Sequence, residues 1–168
     1  AADPAYPTAT VDTDTMPTVN GSTFTVNAGG NVQTAINSAA AADGSLTHEV
    51  VLQAGTTFSV TGLTLPAKNG ANPSGAGWIL VRSSNLAGIA TQKQRIISAS
   101  HAAQMPKIST TSARYGVESD QGAHHYRFIG IELIRTGGVA NGTLFQIWSF
   151  TGTTLASIPH PNVLDRSI

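Results

Sequence analysis

Two eight-residue segments of the chain share one pattern, in which a glycine separates two short runs of alternating apolar residues. The pattern spans residues 58–65, with Gly62 at the break, and residues 126–133, with Gly130 at the break. Glycine allows the backbone to bend there, so that both runs can face one core. A weaker copy spans residues 145–150. A pattern that recurs in this way is typical of a β-solenoid. The alternative is an antiparallel β-sandwich, whose tight hairpin signals are scarce in this sequence.

One helix is expected before these strands, at about residues 31–42. Its apolar residues recur every three to four positions and share one helix face: Val32, Ala35, Ile36, Ala39 and Ala40. Asn31 is placed to cap the helix start, and Gly44 is placed just beyond its end, where a left-handed glycine is common. After Gly44 the apolar period changes to two, which predicts strands.

The remaining segments divide into an arm and a series of strands. Residues 1–22 are rich in Pro, Thr and Asp and predict an extended arm that lies on the surface. Short strands are expected across residues 23–168, and apart from the glycine-centred segments they fall at residues 23–27, 49–53, 78–82, 96–99, 107–109, 115–118 and 163–168.

Charge and cysteine content exclude several classes of protein. Lys and Arg number 9, Asp and Glu number 9, and the isoelectric point is near 7.2, which argues against a nucleic-acid partner. The chain has no cysteine, so disulfide scaffolds, zinc–thiolate sites and a cysteine nucleophile are excluded. No apolar run approaches the roughly 18 residues of a membrane span, and none is expected.

Several segments resemble a known family. Residues 29–39 and 50–58 look like the helix-to-strand opening of right-handed parallel β-helix proteins of the pectate-lyase-like superfamily. Residues 122–133 resemble one of its rungs, and residues 163–168 look like the start of the next rung. The resemblance covers roughly residues 23–168. It implies an all-β chain: a right-handed parallel β-helix (β-solenoid) of three parallel sheets with a short N-terminal α-helical cap.

The resemblance also implies a rung length, a location and a function. With rungs of roughly 20 residues or slightly more, the two glycine-centred patterns would lie about three rungs apart. The implied protein is secreted, periplasmic or on the cell surface, and is carbohydrate-active or polysaccharide-binding. If it is an enzyme, the implied activity is that of a polysaccharide lyase or a glycoside hydrolase. The alternative is a non-catalytic structural or cell-surface β-solenoid. Calcium is implied only by the aspartate clusters of the family's lyases; no such cluster is readable here, and no catalytic residue is carried over.

Four charged residues are candidates for acid–base chemistry on a polysaccharide. Asp120, Arg127 and Glu132 lie in the most polar stretch, and Asp165 lies in the last expected strand. A carboxylate pair can hydrolyse a glycosidic bond, and a carboxylate or an arginine can abstract a sugar proton. The alternative is a turn followed by a strand that points Arg127, Ile129 and Glu132 outward, with Asp165 in a turn.

Two further residues are candidates for contact with sugar. His124 lies beside the acidic stretch, and Trp148 could stack on a sugar ring, although its apolar run also suits core packing. Because adjacent residues of a strand point to opposite faces, His124 and His125 are not expected to form a two-histidine metal site. No metal ligand is therefore predicted.

The C-terminal end is expected to be covered. Residues 163–168 resemble the first half of a rung, and an uncovered solenoid end would present apolar side chains and unpaired strand edges. Either further polypeptide, in a longer protein of which this is the N-terminal portion, or another molecule is expected there. The alternative is that residues 153–168 fold back as an irregular cap.

Overall fold

The fold is built mainly from short β-strands. The computed structural model describes residues 15–69, 77–89, 98–111, 115–136, 143–146, 162–165 and 167. Within these residues the strands are β1 (Thr23–Val26), β2 (His48–Leu52), β3 (Thr57–Val60), β4 (Leu63–Leu65), β5 (Ile79–Ser83), β6 (Lys107–Thr110), β7 (Tyr115–Ser119), β8 (Tyr126–Ile129), β9 (Glu132–Arg135), β10 (Thr143–Gln146) and β11 (Asn162–Asp165).

These strands form three sheets, in which every pairing is parallel. Sheet A has the order β1-β2-β5-β8-β11, sheet B the order β3-β6-β9, and sheet C the order β4-β7-β10. From β2 onward, the chain visits sheets A, B and C in turn. The expectation of an all-β, parallel fold is confirmed at this level. Hairpin-linked antiparallel pairing, the sandwich alternative, is not found among the described strands.

Helix α1 (Val32–Ala41) follows β1 and packs against β1, β2 and β4. Its start is as expected, since the Asn31 side chain accepts a hydrogen bond from the Thr34 amide at 3.0 Å. Its apolar face is buried, including Val32 and Ile36. This face joins the core that the inward side chains of the three sheets share.

The predicted role of Gly44 at the helix end is wrong. The helix ends in an extended residue, Ala42, and Gly44 has no left-handed backbone. Asn69 serves the last turn instead, because its backbone and side-chain amides donate to the carbonyls of Ala40 and Ala41. A contact from a distant loop thus replaces the local glycine cap.

Both predicted glycine corners have a positive φ, but they are not equivalent positions. Gly62 (φ +142°) lies between β3 of sheet B and β4 of sheet C, whereas Gly130 (φ +65°) lies between β8 of sheet A and β9 of sheet B. The two patterns therefore turn different corners, and the inferred spacing of about three rungs is wrong. Similar sequence patterns arise because each corner joins two short strands that must both face the core.

The long connection between β5 and β6 also differs from expectation. A strand was predicted at residues 96–99, but helix α2 covers Ser98–His101 and leads into a 3₁₀ turn at Ala102–Gln104. Residues 96 and 97 lie outside the described residues. A second 3₁₀ turn covers Leu86–Gly88. The Ser83 hydroxyl donates to the carbonyl of Gln104 at 2.6 Å, which ties this excursion back to β5.

At the far end, β9, β10 and β11 are the last of the described strands in their sheets. Leu164 of β11 lies opposite the core residue Phe128 and is 47% exposed. A fold-back cap was considered at residues 153–168; within that segment residues 162–165 form β11, and residues 153–161 lie outside the described residues. The expectation that this end is covered stays a prediction.

Replacing Gly130 by alanine should destabilise the protein more than the same change at Gly29. Both glycines have positive φ (+65° and +79°), so both alanines carry left-handed strain. A Cβ at Gly130 would lie 2.5 Å from Cδ1 of Ile89, whereas one at Gly29 meets nothing within 4 Å. Because the contact is with the terminal methyl of Ile89, which can shift, we expect a loss of about 1 kcal/mol more at Gly130, measured by urea unfolding. Equal losses for the two variants would contradict the close packing of this corner.

Candidate functional site

Two of the four candidate catalytic residues, Arg127 and Asp165, form an ion pair on the outer face of sheet A. Nη2 of Arg127 lies 2.9 Å from Oδ2 of Asp165, and its Nη1 donates to the carbonyl oxygen of Thr15 at 2.9 Å. Arg127 points outward, as the alternative interpretation expected, but its side chain is only 1% exposed. The guanidinium is therefore held by Asp165 and by the N-terminal arm.

A second ion pair repeats this geometry further along sheet A. Nε of Arg82 donates to Oε2 of Glu49 at 2.7 Å, and the Thr23 hydroxyl donates to Oε1 at 2.9 Å. Glu49 lies opposite Leu80 but pairs with Arg82, two residues further along β5. In the same way, Arg127 lies opposite Val163 but pairs with Asp165, two residues further along β11. Burial opposes ionisation of Glu49, but the hydrogen bonds from Arg82 and Thr23 prevail and lower its pKa below the usual value.

Two apolar residues lie between the ion pairs and are related by the same diagonal step, from one strand to a position two residues further along the next strand. Leu80 on β5 and Ile129 on β8 are both fully buried, although they lie on the outer face. Sheet A is therefore buried on its outer face as well as its inner one at these positions. Its paired charged side chains join neighbouring strands and are largely buried.

The third candidate, Glu132, is paired across sheet B. Its Oε2 lies 2.9 Å from Nζ of Lys107, the residue directly opposite it on β6. The two side chains are 22% and 31% exposed. This contact is an ordinary cross-strand ion pair near the surface.

The fourth candidate, Asp120, follows β7 and is exposed at the edge of a polar surface on sheet C. Burial and, second, the charge of Glu118 raise the pKa of Asp120 above its usual value. Glu118 lies directly opposite Thr64 on one side and Gln146 on the other. We call Thr64, Glu118 and Gln146 the polar row; their strand neighbours Leu63, Val117 and Phe145 face the core.

The edge of the polar row is closed by the side chain of Gln33 from α1. Its Oε1 accepts a hydrogen bond from the Thr64 amide, and its Nε2 donates to the Thr64 carbonyl, both at 2.8 Å. The amide thus imitates the next strand of the sheet and satisfies the exposed edge of β4.

The four candidates accordingly lie in three places and do not form one catalytic group. Glu118 lies in the same polar stretch of the sequence but was not chosen among the four candidates. The signal was present, because the alternation in residues 115–119 places Glu118 outward beside Asp120. Asp120 is exposed directly after β7, and the charge of Glu118 contributes to its raised pKa, so the two carboxylates lie near each other.

His124 and His125 are both buried, directly before β8, with 5% and 9% exposure. Their Nδ1 atoms lie 2.8 Å apart. The expectation that the two side chains point to opposite faces of a strand is wrong, because neither residue is in the strand and His125 has a left-handed backbone (φ +58°). The other candidate for sugar contact, Trp148, lies outside the described residues.

Two further features were sought in the part of the chain that the structure describes: a metal centre and a membrane-spanning helix. No group of three or more His, Cys, Asp or Glu side chains that could hold a metal ion occurs within it. Among the same residues, no helix has the length and apolar character needed to cross a membrane.

Lys68 is a buried cation near the C-terminal end of α1. It is 6% exposed, and its Nζ donates to the carbonyl oxygens of Gly44 and Gly77. Burial lowers its pKa from 10.5 to about 8. The side chain joins two loops, so we assign it a structural role.

Replacing Arg127 by methionine should destabilise the protein strongly, because Asp165 then loses its buried partner. We expect a loss of about 3–5 kcal/mol in urea unfolding. Lys107→Met, at the more exposed pair, should cost less than about 1 kcal/mol. Adding Asp165→Leu to Arg127→Met should recover much of the loss in stability. If Arg127→Met alone costs as little as Lys107→Met, the buried ion pair is unimportant for stability.

The stability of the protein should rise with pH from about 8 to 9.5 because of Lys68. Its folded pKa of about 8 lies below the unfolded value, so over this window the unfolded state binds more protons and folding becomes more favourable. The measurement is the free energy of unfolding against pH for the parent and for Lys68→Met. The rise should be smaller in the variant, and parallel curves would contradict the pKa shift.

The site residues therefore separate into structural ion pairs on sheets A and B and an outward polar surface on sheet C. This division follows from the contacts and the exposure of the described side chains. No known protein-family model, curated protein or solved structure matches the chain.

Proposed function

We propose that the chain is a right-handed parallel β-helix of the pectate-lyase-like kind that binds a polysaccharide, and that it acts outside the cytoplasm. The repeated visit to sheets A, B and C with parallel pairing throughout supports this fold. Right-handed crossovers are the rule for parallel strands. The position of α1 against the first strands supports its role as the N-terminal cap.

The observation that carries the binding proposal is the polar row on sheet C. Thr64, Glu118 and Gln146 follow one another across three strands and face outward. Neighbouring strands are spaced about 4.8 Å apart, a distance comparable to one sugar residue of an extended glycan. Hydroxyl, carboxylate and amide groups at that spacing can exchange hydrogen bonds with successive sugars.

The location of the other charges favours sheet C over sheets A and B. Arg127 and Asp165 are engaged with each other beneath the arm, and Lys107 and Glu132 pair across sheet B. The carboxylates of Glu118 and Asp120 remain on one outward surface. Their negative charge favours a glycan without carboxylates of its own.

A second function is the non-catalytic structural solenoid. It is favoured by one observation: the charged pairs of sheets A and B join neighbouring strands, as in a structural protein. A structural solenoid needs no binding surface, so polysaccharide binding distinguishes the two functions.

The binding proposal predicts that soluble neutral polysaccharides retard the protein in native affinity gels, whereas polygalacturonate does not. Glu118→Ala and Gln146→Ala should weaken retardation at least fivefold, because each removes a hydrogen-bonding group from the polar row. Ser59→Ala on the outer face of sheet B is the matched control and should behave as the parent. If no polysaccharide retards the parent, the structural function is favoured.

We further expect binding without cleavage, since the four candidate residues lie in three separate places and the one close pair, Arg127 and Asp165, is a buried ion pair. The measurement is release of reducing ends or of unsaturated products that absorb ultraviolet light. If hydrolysis occurs and Asp120→Asn and Glu118→Gln abolish it, the two carboxylates act as an acid–base pair. If Arg127→Ala or Glu132→Ala abolishes cleavage instead, the structural assignment of those residues is wrong.

A further inference from the structure

An open cavity lies between helix α1 and the segment that follows β4. Its volume is about 540 Å³, within the range of roughly 300–1,000 Å³ that is usual for small-ligand pockets. Helix and loop residues together form its lining: Asn37, Ala40, Ala41, Pro66, Ala67, Lys68 and Asn69. The polar groups among them are few, and their existing hydrogen bonds decide which ligand the cavity suits.

The side chain of Gln33 connects this cavity to the polar row. Its Nε2 donates to Oδ1 of Asn37 as well as to the Thr64 carbonyl, both at 2.8 Å. On the other side, the Asp120 amide donates to the carbonyl of Leu65 at 2.9 Å, directly before the loop residues of the lining. A glycan that lies along the polar row therefore reaches the cavity where the row ends at α1.

Asn37 offers the cavity a hydrogen-bond donor. The backbone of Thr64 fixes the orientation of the Gln33 amide, because a backbone N–H can only donate and a carbonyl can only accept. Nε2 of Gln33 therefore faces Asn37, which must present its Oδ1. Nδ2 of Asn37 has no hydrogen-bond partner among the described residues, and the residue is exposed. Its N–H groups are available to a ligand.

Asn69 offers the complementary acceptor. Its Nδ2 donates to the Ala41 carbonyl at 3.2 Å, which fixes the orientation of this amide as well. Its Oδ1 accepts no hydrogen bond within the part of the chain that the structure describes, and the residue is exposed. The cavity therefore holds one amide that can still donate and one that can still accept.

The remaining lining favours a neutral ligand with an apolar part. The ammonium group of Lys68 already donates to the carbonyl oxygens of Gly44 and Gly77, so it is not presented to an anion. The other lining residues are small and apolar: Ala40, Ala41, Pro66 and Ala67. An acetamido group is complementary to this set, because it has a carbonyl that accepts, an N–H that donates and a methyl group. A hydroxyl group can donate and accept, but it brings no apolar surface.

We propose that this cavity binds the acetamido group of an N-acetylated amino sugar, so that the glycan held along the polar row contains such sugars. The inference rests on the polysaccharide binding proposed above and names the class of glycan. Nδ2 of Asn37 donates to the acetyl carbonyl, and Oδ1 of Asn69 accepts from the acetamido N–H. The methyl group packs against Ala67.

The test compares hydroxyethyl chitin with hydroxyethyl cellulose in native affinity gels. These soluble, neutral polymers share one backbone, and chitin carries an acetamido group where cellulose carries a hydroxyl. Hydroxyethyl chitin should retard the parent at least fivefold more strongly. Asn37→Asp should remove this preference, because it keeps the acceptor for Gln33 but replaces the free donor by a carboxylate oxygen. Ser38→Asp adds the same charge at an exposed neighbouring position of α1 and should keep the preference.

A second measurement reads the cavity without a polymer. In amide NMR spectra of the full chain, the methyl glycoside of N-acetylglucosamine should shift the side-chain amide signals of Asn37 and Asn69. Methyl glucoside, which lacks the acetamido group, should not shift them.

The outcomes separate this inference from the binding proposal on which it rests. If both polymers retard the parent equally, or if Asn37→Asp keeps the preference, the acetamido assignment is wrong and binding along the polar row stands. If neither polymer retards the parent but the amide signals shift selectively, the cavity is confirmed and binding along the polar row is wrong. If neither polymer nor glycoside has any effect, both proposals are wrong.

Discussion

Lateral pairing of parallel strands in register is the constraint on which the rest of the structure depends. Parallel neighbours come from distant parts of the chain, so each strand gains its hydrogen bonds only when a whole circuit has formed. The register then decides which side chains meet. In sheet A it brings Glu49 to Arg82 and Arg127 to Asp165 by the same diagonal step, with Leu80 and Ile129 between them. A shift of one residue would exchange the two faces of a strand and separate these pairs.

The same constraint explains why the first strands of the sheets are covered by helix α1. A strand without a partner exposes backbone donors and acceptors. Helix α1 covers the apolar residues at this end, and Gln33 completes the hydrogen bonding of Thr64 on β4. One short helix therefore both covers the core and completes a strand edge. Its residues Val32 and Ile36 are buried, and its polar residue Gln33 hydrogen-bonds to the edge of β4.

Local features of the fold could be predicted from the sequence, whereas contacts between distant segments could not. The start of α1 at Asn31 and the bend at Gly130 depend on a few neighbouring residues, and both are confirmed. The helix end depends on Asn69, which is distant in sequence, and so the local signal at Gly44 was misleading. The corners at Gly62 and Gly130 have similar local sequences although they join different pairs of sheets. The loops between successive strands differ in length, and the local pattern does not record how many strands separate the two corners.

The candidate site shows the same division. Alternation correctly placed Arg127 outward, but only the contacts with Thr15 and Asp165 reveal that it is buried. His124 and His125 were assigned to a strand, and no sequence signal announces the left-handed backbone that brings them together. Glu118, by contrast, was within reach of sequence reasoning, because its place beside Asp120 follows from the alternation of β7.

The central claim, that successive circuits stack as parallel strands in register, is tested most directly by nuclear Overhauser effects between strands. Strands β3 and β6 are a suitable pair, since Phe58 lies opposite Ile108 and the two are far apart in sequence. The parallel stack predicts contacts that advance in the same direction along both strands, from Thr57 and Lys107 to Val60 and Thr110. Close contacts between facing α protons that run in opposite directions would establish antiparallel pairing and contradict the proposed fold.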